Sequence, residues 1–147
     1  MSDIKKDLPE EVVIRAPAVD DRINRIREAV QRALNEKSEI AVKKGDAECY
    51  LPYRELLYFE TDGGRVVAHT AREAFSCPLR LNELEAILPR RFTRASKGCL
   101  VNTAHIRSIT RSPTGVSTAT FAGSDKRITI SRMYYRIVRE IIEETRL

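Results

Sequence analysis

The order of hydrophobic and polar residues alternates between helical and strand rhythm along this chain. EVVIRA, residues 11–16, reads as a short strand closed by Pro17, which cannot donate to a ladder. Asp20 or Asp21 can cap a following helix, in which Ile23, Ile26, Val30, Ala33 and Leu34 recur at helical spacing as far as Lys37. The other face is polar, so the apolar stripe must be covered. Two uses are open: packing on the protein's own domain, or a symmetric contact between two copies.

From Ser38 the rhythm becomes that of strands. SEIAVKK and AECYL flank Gly45-Asp46, a turn signal. LLYFE (56–60) and RVVAHT (65–70) flank TDGG, whose two glycines can take positive φ. Ala74 to Cys77 predicts a further short strand. LRLNELEAIL (79–88), with leucines at 79, 81, 84 and 88 and a stop at Pro89, predicts a helix. IRSITR, VSTATF and KRITI predict three strands joined by SPTG and AGSD. Ser131 is a fitting N-cap for a last helix of about 15 residues, with Tyr134, Ile137, Val138, Ile141 and Ile142 as its stripe. The whole reads as an α+β, β-rich chain: an N-terminal strand-helix extension over 1–37, then a domain over 38–147 with one inserted helix and a C-terminal helix.

One stretch fits neither rhythm. FTRASKGCLVN, residues 92–102, sets Arg94, Ser96, Lys97 and Gly98 directly before Leu100 and Val101. Glycine is unfavourable in a helix and unneeded in a strand edge, so a short, flexible, cationic turn is expected. Charge supports a special role. Residues 1–89 hold 14 Lys+Arg against 17 Asp+Glu, whereas residues 90–147 hold 12 against 4. A basic C-terminal third on a mildly acidic body suits a polyanion. The basic set comprises Arg94, Lys97, Arg107, Arg111, Lys126, Arg127, Arg132, Arg136 and Arg139. Arg132 in the first turn of a helix opposes the macrodipole, unless an anion is bound there.

Composition excludes other classes. With 42% hydrophobic and 32% charged residues the chain should be globular. It has no apolar run of membrane-spanning length and no secretory signal, so a cytoplasmic location is expected. Cys49, Cys77 and Cys99 are odd in number and lack CxxC spacing, which predicts reduced thiols and no zinc site. His69 and His105 read as packed or hydrogen-bonded residues, and Cys99 as an inward-facing thiol rather than a nucleophile. Glu83 and Glu85 read as a solvated helix face. No catalytic constellation, cofactor or metal is expected.

Four pieces, LLYFETDGGRVVAHT, LRLNELEAILP, RFTRASKGCLVNTAHIRSI and ITISRMYYRIV, in this order and spacing, resemble the LytTR family of bacterial DNA-binding domains. The resemblance runs from about Ala41 to Glu144. The third piece is the most specific, with Phe92, Arg94, Ser96-Lys97-Gly98, Leu100-Val101, Asn102 and His105-Ile106 matching the family's order. The lead-in looks like that of small stand-alone members without a receiver domain. The resemblance implies small antiparallel sheets with a short helix. It also implies binding of promoter DNA as a transcription regulator through three loops that enter successive major grooves.

By that resemblance the first loop is residues 61–65, with Gly64 where some members carry a base-reading histidine. Arg65 is then its substitute, or the contact is absent. In the second loop Arg94 and Ser96 would meet phosphates and Lys97 would reach a base. Gly98, where serine is common, would let the backbone approach a phosphate closely. The third is Ser131, Arg132 and Met133, with Met133 where many members have a second arginine. Arg94 and Lys97 are both expected to point at solvent. Two copies on one promoter are expected, with the N-terminal helix as a dimer contact if it does not pack on its own domain. The alternative is an RNA- or polyanion-binding β module, which should show exposed aromatics for stacking; aromatics make up only 6%.

Overall fold

The computed structural model describes residues 21–36 and 38–146. The first helix, α1 (Asp21–Glu36), forms where the stripe predicts it, with Ile23 buried and Ile26 half-buried. The strand expected at 11–16, along with Asp20, Lys37 and the side chains of Val30, Ala33 and Leu34, lies outside the described residues. The chain separates into two compact units, the first ending at Glu39 and the second starting at Ile40.

Seven strands form the larger sheet: β1 (Glu39–Lys44), β2 (Ala47–Pro52), β3 (Tyr58–Asp62), β4 (Arg65–His69), β5 (Ala74–Cys77), β6 (Phe92–Ser96) and β7 (Cys99–Asn102). Their order is β2-β1-β5-β4-β3-β7-β6. A smaller sheet holds β8 (Ile106–Arg111), β9 (Ser117–Phe121) and β10 (Arg127–Ile130) in the order β10-β9-β8. Helix α2 (Leu81–Ile87) lies between β5 and β6 in the chain, and α3 (Arg132–Thr145) follows β10. The pairs β3–β4, β3–β7, β4–β5, β6–β7, β8–β9 and β9–β10 are antiparallel.

Residues 92–102, expected as a flexible turn, are a hairpin with only Lys97 and Gly98 between its strands. These strands lack two-fold alternation, so the pattern of the sequence does not mark them: β7 is buried at all four positions. The reason is that β3 and β7 stand between two cores. Phe59 and its cross-strand partner Leu100 enter the core that also holds Val42, Leu56, Phe75, Leu84 and Phe92. Tyr58 and its partner Val101 enter the other, with Ala119, Phe121, Ile130 and Val138. Leu81 and Leu84 of α2 thus cover one face, and the small sheet with α3 covers the other. Register shifts between Arg94 and Ser96, and the bulged Ala95 lies fully buried in the second core. A bulge re-aims a side chain in this way.

α2 is shorter than the leucine pattern implies. Leu79 packs on the core from outside the helix, and Leu88 is its C-cap. Arg80 at the N-cap is extended, and the Glu83 carboxylate accepts its backbone N–H at 2.9 Å. That is half of a capping box, because a guanidinium cannot accept in return.

The end of β7 is fixed by Asn102, which is fully buried. Its Nδ2 donates to the Leu56 carbonyl at 2.9 Å, and its Oδ1 accepts the Ala104 N–H at 3.1 Å. Replacing Asn102 by Ala removes both bonds from a dry site, where unpaired groups cost about 1–3 kcal/mol each. Urea unfolding of Asn102→Ala should show a loss of at least about 1 kcal/mol; an unchanged midpoint would contradict this anchoring role.

Candidate nucleic-acid interface

The turn between β3 and β4 consists of Gly63 (φ +60°) and Gly64 (φ +80°), both left-handed. Two such residues make the hairpin connection whose twist matches the strands. Arg65 pairs across the ladder with Asp62, and both are exposed. A Cβ on either glycine would meet nothing within 4 Å, so backbone geometry rather than crowding requires glycine here.

The second turn has a different basis. Gly98 is not left-handed, and an added Cβ would lie an ordinary 3.9 Å from the Thr61 Cβ. Nothing in the protein itself therefore demands glycine at this position. Lys97 is exposed and Ser96 half-buried. Arg94 departs from expectation: its side chain is only 19% exposed. Nε donates to Glu85 Oε1 at 3.2 Å, and an Nη donates to the Lys97 carbonyl at 2.6 Å. The guanidinium therefore braces the turn from beneath, and of the two cations Lys97 is the one that faces solvent. Glu83 and Glu85 are both exposed, as a solvated helix face implies, and each also holds a partner: Glu83 caps α2 and Glu85 holds Arg94.

At the third segment Ser131 occupies the N-cap position of α3, with φ −72° and ψ 157°, but its hydroxyl caps nothing. The Ser131 Oγ is buried without a partner among the described residues, and the Tyr134 N–H bonds to the Ser131 carbonyl at 3.1 Å instead. Arg132 is exposed, and Met133 is 75% exposed.

Backbone bonds bring these segments together. The Thr61 N–H donates to the Gly98 carbonyl at 2.9 Å, which joins the second turn to the arm of the first. The Ser131 N–H donates to the carbonyl of bulged Ala95 at 2.8 Å, which joins β6 to the start of α3. The Lys97-Gly98 turn is thus flanked by the other two segments. Beside it opens a groove of about 360 Å³, lined by Glu60, Ser96 and Gly98 on one side and Thr118, Arg127 and Thr129 on the other. Sequence reasoning counted Arg127 among the basic residues without placing it here. The alternation of exposed Arg127 and Thr129 with buried Ile128 and Ile130 on β10 was the available signal.

Cys99, His69 and His105 are each engaged within the fold. The Cys99 thiol is buried, and burial pushes its pKa up to about 12, so it carries no thiolate at neutral pH. The His105 Nε2 meets the Arg54 carbonyl. His69 stacks on Tyr58 at 4.4 Å, and Tyr58 stacks on Phe121 at 5.5 Å. Lys126 Nζ donates to His69 Nδ1 at 3.0 Å and to the Glu73 carbonyl at 2.6 Å. With Nδ1 accepting, the proton is on Nε2, which meets the Glu60 carboxylate. Burial, then the Lys126 charge, holds the His69 pKa below its ordinary 6.5. This network ties the turn before β10 to the large sheet.

The LytTr DNA-binding domain family matches residues 46–143, and the chain belongs to it. An uncharacterised HTH-type transcriptional regulator of Staphylococcus aureus strain MSSA476 is 31% identical over 112 residues, spanning 76% of this chain and 75% of that protein. A similarly named regulator from strain NCTC 8325 is 33% identical over 104 residues, spanning 70% and 69%. The fold is like that of a solved LytTr DNA-binding domain from Bacillus cereus, with TM-score 0.66 and 21% identity over 71% of this chain and 96% of that one. In the described residues α1, α2 and α3 are each separated by five strands, so no two helices are joined by a short turn. No described helix is long and apolar enough to cross a membrane.

Two outcomes follow from these bonds. Arg94→Ala should lower stability by about 1 kcal/mol, since a largely buried guanidinium loses its bonds to an exposed carboxylate and a carbonyl, while Lys97→Ala should leave stability unchanged; denaturant titration of both variants distinguishes them. For His69 the lowered folded pKa means that the unfolded chain takes up a proton first as pH falls. Its stabilising contribution is complete above the ordinary 6.5 and is lost as pH drops toward the lower folded value. Thermal melts across that interval should fall more steeply for the unaltered protein than for His69→Gln. Equal slopes would remove His69 from the account.

Proposed function

We propose that this protein is a transcription regulator that reads double-stranded promoter DNA through three loops set in successive major grooves. Residues 38–147 form the DNA-binding domain, and 1–37 form an extension through which two copies meet. The observation that carries this reading is the exposed Lys97-Gly98 turn, hydrogen-bonded on one side to the arm of the Gly63-Gly64 turn and on the other to the helix start at Ser131-Arg132. Lysine and arginine side chains on such turns can pair with guanine O6 and N7. Lys97, Arg65 and Arg132 are the exposed cations of the three segments. Arg94 acts beneath them by holding the Lys97 carbonyl, and Ser96 and Gly98 offer their surface to phosphate.

The activity is binding without catalysis or cofactor, in the cytoplasm. The protonated, buried Cys99 thiol speaks against a nucleophile there. An RNA-binding module is less well supported. Tyr50, the exposed aromatic among the described residues, is on β2, at the opposite edge of the large sheet from the Lys97 turn on β6–β7.

Binding of a duplex selected by the protein from a random pool should weaken as salt rises, with a log–log slope near −0.9 per phosphate neutralised. Lys97→Ala should cost roughly 1–3 kcal/mol on that duplex and much less on a scrambled one, because base contacts specify while phosphate contacts position. Equal losses on both duplexes would make Lys97 a backbone contact. Tighter binding to single-stranded RNA would favour the alternative.

A further inference from the structure

The β8–β9 hairpin touches the start of α3 at two points. The turn is closed by the Ser112 N–H to the Val116 carbonyl at 2.9 Å and the Gly115 N–H to the Ser112 carbonyl at 3.0 Å. Gly115 is left-handed, with φ +89°. A Cβ there would lie 2.6 Å from Arg132 Cδ and 3.0 Å from Cγ, so the aliphatic stem of Arg132 lies directly on the bare Cα. Arg111, the last residue of β8, has its guanidinium 4.4 Å from the centre of the Tyr135 ring, one helical turn beyond Arg132. Among the described residues no ion pair engages the Arg132 guanidinium, and the residue is exposed, so it can meet an external partner.

We propose that the β8–β9 turn is the bed that holds Arg132 for DNA, and that Gly115 is its positioning residue. This rests on the reading of Arg132 as a DNA contact. A long, exposed arginine loses rotamer freedom when it binds, and that loss weakens binding. A stem already laid across a fixed turn has lost part of that freedom in advance. The crowded atoms belong to a flexible side chain, so a methyl group at 115 displaces the arginine rather than the fold. Residue 115 then sets where the guanidinium points without itself touching DNA.

The test uses the full chain and a duplex it selects from a random-sequence pool. Gly123 supplies the control: it has φ +74° but nothing within 4 Å of an added Cβ, so Gly123→Ala imposes similar backbone strain without the contact. Arg132→Ala should weaken binding on the order of tenfold, as loss of a DNA-contacting arginine does. Gly115→Ala should weaken it several-fold, Gly123→Ala should leave it unchanged, and the Gly115→Ala/Arg132→Ala pair should bind no worse than Arg132→Ala alone. If Arg132→Ala weakens binding and Gly115→Ala does not, or if the two losses multiply, the positioning role is overturned while the reading of Arg132 stands. If Arg132→Ala binds like the unaltered chain, that reading fails and takes the bed with it. Nitrogen relaxation at Arg132 Nε in the unaltered, unbound protein tests the same point without any substitution. It should be more restricted than Arg136 Nε, which is on an exposed part of the same helix; equal mobility contradicts the proposal.

Discussion

Four consecutive residues with no exposed side, Cys99–Asn102, are the constraint on which the second unit depends. Leu100 faces one core and Val101 the other, so the strand is the wall that both cores share. A sheet covered on both faces gives up the alternation of a half-buried one, and in return fixes register strongly, since a one-residue slip would exchange the two cores' contents. Asn102 ends the strand by bonding the main chain at Leu56 and Ala104.

That rigidity determines where the cationic turn stands. β7 cannot shift, so the turn that precedes it cannot shift either. β3 is bonded to one side of the turn and the start of α3 to the bulge below it. The division of labour between Arg94 and Lys97 follows. Three residues apart in the same hairpin, one is drawn under the turn by Glu85 and a carbonyl and the other is left in water. A DNA-binding surface made of loops needs this kind of support, because long side chains on unsupported backbone lose affinity to ordering.

Much of this was legible in the sequence. Alternation and turn chemistry placed β1 to β5, β8 to β10 and both long helices, and the Gly63-Gly64 pair takes the positive φ values its composition suggests. The family resemblance, most specific on residues 91–109, carried what charge alone left open, and membership is borne out. What stayed hidden has physical causes. β6 and β7 do not alternate because both faces are buried. The inward turn of Arg94 depends on Glu85, which comes from another element. Ser131 has the right identity and backbone for a cap, yet its hydroxyl is buried and unused. The meeting of Gly115 with Arg132 joins residues 17 positions apart, through a strand pairing and a helix start that no local pattern encodes.

The most direct test of DNA binding through the three turns is amide chemical-shift mapping of the full chain as a selected duplex is titrated in. The largest changes should fall on Gly63 to Arg65, Ser96 to Gly98 and Arg132-Met133, with β1, β2 and α2 unmoved. Changes centred on α1, or spread over the β1–β2 hairpin and sparing the Lys97 turn, would contradict it.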